Sequence, residues 1–419
     1  MRRLLKVTAM TGLLTLLKMA MGFVIAKVVA IYTGPTGMAM LGQVQSLVSG
    51  LNGIVNAPAS SGVIRFTAEH NKQGISSCVP WWRAALQWIL ILSAIIIPIG
   101  LLLSKHISIW LFNNETYTWL VIITVCVLPL SAIGTLCNSV INGLQQYRRY
   151  ITLGMLSAFL SGSVMLTMIV RDNIRGALLA ATIQSALIGI IMLIANMRQP
   201  WCKLCYWWGQ SNSQARGSIA NYMLMAITSA VTIPISMILV RMILVRHVGW
   251  VETGQWQAVW KISEVYLGVI TMALSTYYLP RLSSLIGVDA IISEVHKTAL
   301  IIMPIVSIMA LGVYFSRDLV ISILFTDDFA GARNLFAIQL IGDVVKIFSW
   351  LYAYPMLSRG ATKWYISTEV IFSSLFVIIS YLLISRVGVQ GANYAYLLNY
   401  IMYFFIMIFN IRRISVSGC

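Results

Sequence analysis

Acidic residues are scarce in this chain: 12 Asp and Glu stand against 29 Lys and Arg in 419 residues, and charged residues make up only 10%. Soluble domains carry about 25% charged residues, so this supply cannot build a water-facing surface. Histidine is scarce too. His70, His106, His247 and His296 stand far apart, in or beside loops and without acids at ligand spacing, so no metal site is expected. The six cysteines are scattered. Cys202 and Cys205 form a CxxC that lacks the second pair or fold context of metal or redox chemistry, and it reads as small polarizable side chains in a Trp-rich loop. No Walker A lysine loop is present, which argues against ATP hydrolysis, and no cofactor is expected.

What the chain does have is apolar sequence, at 59%. A helix needs about 20 mainly apolar residues to cross the hydrocarbon core, because every backbone polar group must be paired inside the segment. Twelve stretches qualify: 7–31, 37–58, 83–103, 117–141, 150–170, 176–197, 217–241, 255–279, 298–316, 335–357, 364–384 and 391–411. The first is expected to be an uncleaved span, since its apolar run continues to Ile31 with no small-residue cleavage site after a short core. The net charge of +17 is dispersed as ones and twos between the apolar runs, the pattern of short membrane loops rather than the basic stripe of a nucleic-acid-binding surface.

With both termini placed in the cytoplasm, 17 Lys and Arg fall in cytoplasmic segments and seven on the opposite side, the asymmetry of the positive-inside rule. The segment 198–216, RQPWCKLCYWWGQSNSQAR, is basic, aromatic and then polar, and it is expected along the cytoplasmic membrane surface. It joins two expected six-helix lobes, 1–205 and 206–419. These read as related copies, since GQVQ at 42–45 recurs as GQWQ at 254–257, 212 residues on. The fold expected is an all-α polytopic bundle with pseudo-symmetric lobes around a central cavity.

Five bases remain inside spans: Lys18, Lys27, Arg241, Lys261 and Lys346. A centrally placed charge there costs about 2.5 to 3.5 kcal/mol even on the permissive insertion scale. Lys27, Arg241 and Lys261 stand near span ends, where they would snorkel. Thr11, Thr15, Lys18 and Gly22 follow at spacings that share one helix face, as do Gln45, Ser49, Asn52 and Asn56. Lys18 and Lys27 can line one cavity only if the helix bends near Gly22. Helix glue and cavity lining fit the uncharged stripe residues equally. Lys18 points to a cavity, because its own span holds no acid. Lys261 with Glu264, and Asp343 with Lys346, are each three apart. They read equally as intrahelical ion pairs or as a place where an acid exchanges a proton or sodium ion. The excess of positive charge suits an anionic substrate such as a phosphate, and Asn, Gln and aromatic side chains suit sugars.

LLTLLKMAMGFVIAKVVAIYTGPTGMAMLGQ (13–43), GQWQAVWKISEVYLGVITMALSTYYLPRLS (254–283) and RNLFAIQLIGDVVKIFSW (333–350) carry a resemblance over essentially the whole chain. The chain resembles the Wzx-type polysaccharide lipid flippases of the multidrug, oligosaccharidyl-lipid and polysaccharide exporter superfamily, which serve O-antigen and enterobacterial common antigen synthesis. The resemblance implies an inner-membrane protein moving undecaprenyl-pyrophosphate-linked oligosaccharides to the periplasmic leaflet by alternating access, alongside a glycan polymerase and a chain-length regulator. It assigns Lys18, Lys27, Arg65 and Arg241 to a cationic cavity for the pyrophosphate. Asp343 and Lys346 match the family's GDxxK segment. Lys261 departs from common-antigen members, which carry an uncharged residue there, so an O-antigen unit is an equally fitting cargo. Two rivals are a cation-coupled multidrug-type exporter, whose often cationic substrates suit a basic cavity poorly, and a membrane enzyme or polymerase acting on the same lipid-linked glycan.

Overall fold

The computed structural model describes residues 2–285 and 287–416, and every regular element among them is helical. Nine helical stretches among the described residues are long and apolar enough to cross a membrane, so the chain is an all-α polytopic membrane protein. Their principal helices are α1 (Arg2–Asn56), α2 (Val79–Leu102), α3 (Thr118–Gly143), α4 (Tyr147–Asn196), α5 (Ser213–Ala273), α6 (Val288–Phe315), α7 (Phe336–Arg359), α8 (Thr362–Val387) and α9 (Gln390–Val416).

Twelve expected stretches fall on nine helices because three run two stretches together across one non-helical residue. These are Gly34 in α1 (φ 63°, ψ −167°), Asn173 in α4 (φ 48°, ψ −123°) and Gly249 in α5 (φ 89°, ψ 177°). Gly34 and Gly249 occupy a backbone region essentially reserved for glycine. Two short helices, Ser104–Phe112 and Arg317–Leu324, also stand where the sequence suggested loops, each following a long helix across a single hinge residue.

The special backbone positions recur along the chain. Gly249, Gly360 and Gly388 each lie 215 residues after Gly34, Gln145 and Asn173, all six with positive φ. The hinges Leu103 (φ −90°, ψ 1°) and Ser316 (φ −90°, ψ 2°) stand 213 residues apart. Backbone geometry thus repeats at nearly the interval of the GQVQ and GQWQ segments.

The chain divides into two compact units: Met1–Tyr32 with Met40–Ile235, and Thr33–Ala39 with Ser236–Cys419. In unit 1, α3 and α4 approach so closely that a Cβ on Gly134 would lie 2.6 Å from Gly189 Cα, the small-residue packing expected where lipid provides no hydrophobic drive. The segment Pro200–Trp207 is docked on the start of α2. The Trp82 and Trp207 rings stack at 5.4 Å, Arg83 donates to Cys205 O at 2.7 Å and Gln87 donates to Gly209 O at 3.1 Å. Leu204 and Trp208 remain exposed on this docked segment.

A candidate binding site in the second unit

Asp343 is the most deeply buried acid of unit 2, with no exposed surface. It sits a third of the way along α7 beside Gly342, where a Cβ would come within 2.5 Å of Tyr396 Cδ1, so the missing side chain lets α9 close on α7. An ionised carboxylate offers about four acceptor sites, and four donors meet them here. Ser263 and Tyr266 of α5 donate to Oδ2 at 2.6 and 2.7 Å, while Tyr396 of α9 and Gln339 of α7 donate to Oδ1 at 2.9 and 3.2 Å. Buried charge is tolerated only with such pairing, and the network ties three helices to one side chain.

The expected ion pair between Asp343 and Lys346 is absent. Among the described residues no ion pair within 4 Å involves Lys346. With the carboxylate oxygens already occupied, the lysine turns to π faces instead. Its ammonium lies 4.9 Å from the ring centre of Trp350, 5.5 Å from Tyr400, 5.6 Å from Tyr396 and 5.9 Å from Trp260. A cation within about 6 Å of an aromatic face is attracted by the ring quadrupole.

The second expected pair forms. Lys261 Nζ lies 3.0 Å from Glu264 Oε2, and Trp260 Nε1 donates to Glu264 Oε1 at 3.1 Å. Arg241 corrects the snorkelling expectation: it is 4% exposed, and its Nε donates to Gln257 Oε1 at 2.6 Å. A cavity of about 200 Å³ opens among Trp260, Glu264, Gln339, Lys346, Trp350 and Tyr396.

The other expected site residues lie in unit 1. Lys18 is exposed on α1 and Lys27 half-buried. The helical backbone continues through Gly22, so these two lysines, nine residues apart, stay on opposite sides of the helix and do not line one face. Arg65 is exposed on the helix Ser61–His70, with Glu69 at 4.0 Å and the Phe66 ring at 5.7 Å. Asn52 donates to Ser185 Oγ and Asn56 to Ser131 Oγ, both at 3.1 Å, which realises the glue reading for their amide nitrogens. Gln45, on the same face, is half-buried.

Sequence reasoning missed Gln339, Trp350, Trp260, Tyr266, Tyr396 and Tyr400. The spacing test that singled out the stripes of the first helices recovers two of these six, Gln339 and Trp350, when applied to α7. Gln339, Asp343, Lys346 and Trp350 follow at 4, 3 and 4 residues, and Tyr396 and Tyr400 are one turn apart.

No protein-family model matches the chain. It is 29% identical over 408 residues, 96% of either chain, to the Lipid III flippase of Escherichia coli (strain K12). Its fold is similar to that of a multidrug resistance MATE family transporter of the MOP superfamily in an inward-facing conformation. That likeness has a TM-score of 0.74 at 13% identity and covers 96% of this chain and 98% of the other. The lipid II flippase MurJ in an inward closed conformation gives a TM-score of 0.71 at 12% identity, covering 99% of this chain and 90% of that one. At such identities the structural likeness establishes the fold alone. Together with the full-length relative it points to a transporter rather than an enzyme.

Proposed function

We propose that the chain is a flippase for undecaprenyl-pyrophosphate-linked oligosaccharides, carrying them from the cytoplasmic to the periplasmic leaflet of a bacterial inner membrane by alternating access. The observation that carries this reading is the cluster in unit 2, where a four-donor carboxylate and a caged lysine lie inside membrane-spanning helices, with the buried Arg241 acting electrostatically on Glu264. Buried ionisable groups in spans are retained for function, since insertion otherwise selects against them. The full-length likeness to a lipid-linked glycan flippase supports the same cargo class.

In this reading the three interrupted helices supply two spans each. That gives twelve spans, two six-helix lobes (1–205 and 206–419) and cytoplasmic termini, as the loop charge favours. Lys18, Lys27, Arg65 and Arg241 draw the pyrophosphate at separate points, since Lys18 and Lys27 share no helix face, and Gln45 lines its path with the unbonded Oδ1 atoms of Asn52 and Asn56. Lys261, Glu264, Asp343 and Lys346 couple or gate the cycle, driven by a proton or sodium gradient. O-antigen and common-antigen repeat units both fit as cargo, with a polymerase and a chain-length regulator acting downstream.

Reconstitution of the purified chain in liposomes with labelled lipid-linked oligosaccharide tests the proposal. Transbilayer movement of unchanged substrate is the expected result, and a chemically altered product refutes it. Lys18→Ala and Arg241→Ala should stop movement while leaving insertion intact; normal movement in both sinks the cationic-site assignment. The MATE-like fold favours one second reading, cation-coupled drug export. Export of a cationic dye by the same liposomes, with no movement of the glycolipid, would select it.

A further inference from the structure

The cavity of unit 2 holds more than a coupling network requires. Three of its lining residues are aromatic, Trp260, Trp350 and Tyr396. The Lys346 ammonium also lines it, 4.9 to 5.9 Å from four ring centres. Asp343 and Glu264 act on this lysine electrostatically, yet Asp343 already has four donors and Glu264 is clamped by Lys261 and Trp260. Lys346 therefore keeps hydrogen-bonding capacity for an incoming anion. A second atom is similarly placed: Gln339 lines the cavity, is 1% exposed, and its buried Oε1 accepts no hydrogen bond. A buried acceptor left empty is unfavourable, and a ligand hydroxyl would satisfy it.

Aromatic faces, one amide acceptor and one cation in a single small space are complementary to a pyranose ring that carries an anionic substituent. The faces cover the apolar side of the ring, Gln339 Oε1 accepts from a hydroxyl and Lys346 meets the anion. The volume of about 200 Å³ is below the roughly 300 to 1,000 Å³ of pockets for drug-sized ligands, so it suits one ring rather than an oligosaccharide. The geometry points to this cavity as a subsite for one anion-bearing sugar residue of the cargo. It rests on the lipid-linked glycan reading and gives Lys346 a ligand-binding role. The anion has two possible sources with shared chemistry: a carboxylate on a sugar of the glycan, or the phosphate at the linkage of the first sugar.

Saturation-transfer NMR on the full chain in lipid nanodiscs tests it with four probes: glucuronate, glucose 1-phosphate, glucose and inorganic pyrophosphate. At least one ring-anion probe should bind about tenfold more tightly than glucose or pyrophosphate, the margin of one charge-assisted hydrogen bond. Preference for glucuronate assigns the anion to a sugar carboxylate, preference for glucose 1-phosphate to the linkage, and equal binding of both to either; all three support the subsite. Lys346→Met should erase the margin, Lys346→Arg should retain part of it, and Trp350→Ala should weaken every ring probe. The subsite is overturned if glucose or pyrophosphate alone binds as tightly as the ring-anion probes. Probe binding unaltered in both Lys346→Met and Trp350→Ala overturns it too. The wild-type comparison decides even where a variant fails to fold. Probe binding without glycolipid movement in liposomes would sink the transport reading and leave the subsite standing, whereas movement without probe binding would do the reverse.

Discussion

In unit 1, the face of α1 formed by Gln45, Ser49, Asn52 and Asn56 meets hydroxyls: Asn52 reaches Ser185 and Asn56 reaches Ser131. The residues 212 positions later in unit 2 are Gln257, Lys261, Glu264 and Gly268 on α5. There Gln257 accepts from buried Arg241, and Lys261 is bonded to Glu264. By the 215-residue step of the backbone repeat, Leu128 and Ser131 of α3 stand where Asp343 and Lys346 stand in α7. One backbone plan therefore carries neutral amide and hydroxyl contacts in its first copy and a charged aromatic cluster in its second. The helices and kinks are what the plan specifies, and the chemistry of a face is free to change, because helix-to-helix packing needs only small or compact polar groups there.

The largest effect that would sharpen this comparison is expected at Asp343. Asp343→Ala leaves Ser263, Tyr266, Gln339 and Tyr396 without their common acceptor, a loss of about 1 to 3 kcal/mol for each donor left unsatisfied. Thermal unfolding in detergent should register it, and an unchanged melting temperature would show that the network is dispensable. Next come the packing glycines. Gly134→Leu in unit 1 drives a side chain into the Gly189 backbone and should destabilise by about 1 to 3 kcal/mol or more, read as loss of the monodisperse peak in size exclusion.

Gly249→Ala places a Cβ at a φ of 89° and a ψ of 177°, with an expected penalty of about 1 to 3 kcal/mol in thermal melts. Gly34→Ala should match it if the two kinks are true counterparts, and a harmless Gly34→Ala would break the comparison. Asn56→Leu, losing one neutral interhelical bond, should cost only about 0.6 kcal/mol, the mean for such bonds in membranes. If it proves as damaging as Asp343→Ala, the contrast between the units fails. Arg65→Ala should be smallest, at most about 1 kcal/mol in the same melts, since its contact with Glu69 is 4.0 Å long and exposed.

Much of the fold was legible in the sequence. Each expected span lies on one of the long helices, because hydropathy over about 20 residues is a property of a segment and needs no neighbours. The three breaks at Gly34, Asn173 and Gly249 fall between expected spans for the same reason. The short helices Ser104–Phe112 and Arg317–Leu324 were read as loops because they are too short to span. The site was half legible. Asp343, Lys346, Lys261, Glu264 and Arg241 stood out as charges in apolar surroundings, but apart from the Lys261–Glu264 pair their partners did not. Tyr396 and Tyr400 look like any aromatic residues of a membrane helix until α9 is packed on α7.

By itself, then, the sequence determined the class, the apolar stretches, the spacing of the GQVQ and GQWQ segments and the short list of charges within those stretches. Each of these depends on local composition or on spacing along one helix. Tertiary structure alone decided which charges satisfy one another. It gave Asp343 to Ser263, Tyr266, Gln339 and Tyr396, left Lys346 among aromatic faces, and buried Arg241 against Gln257. Hydrogen bonds and cation–π contacts act over a few ångströms, and only packing brings α5, α7 and α9 that near.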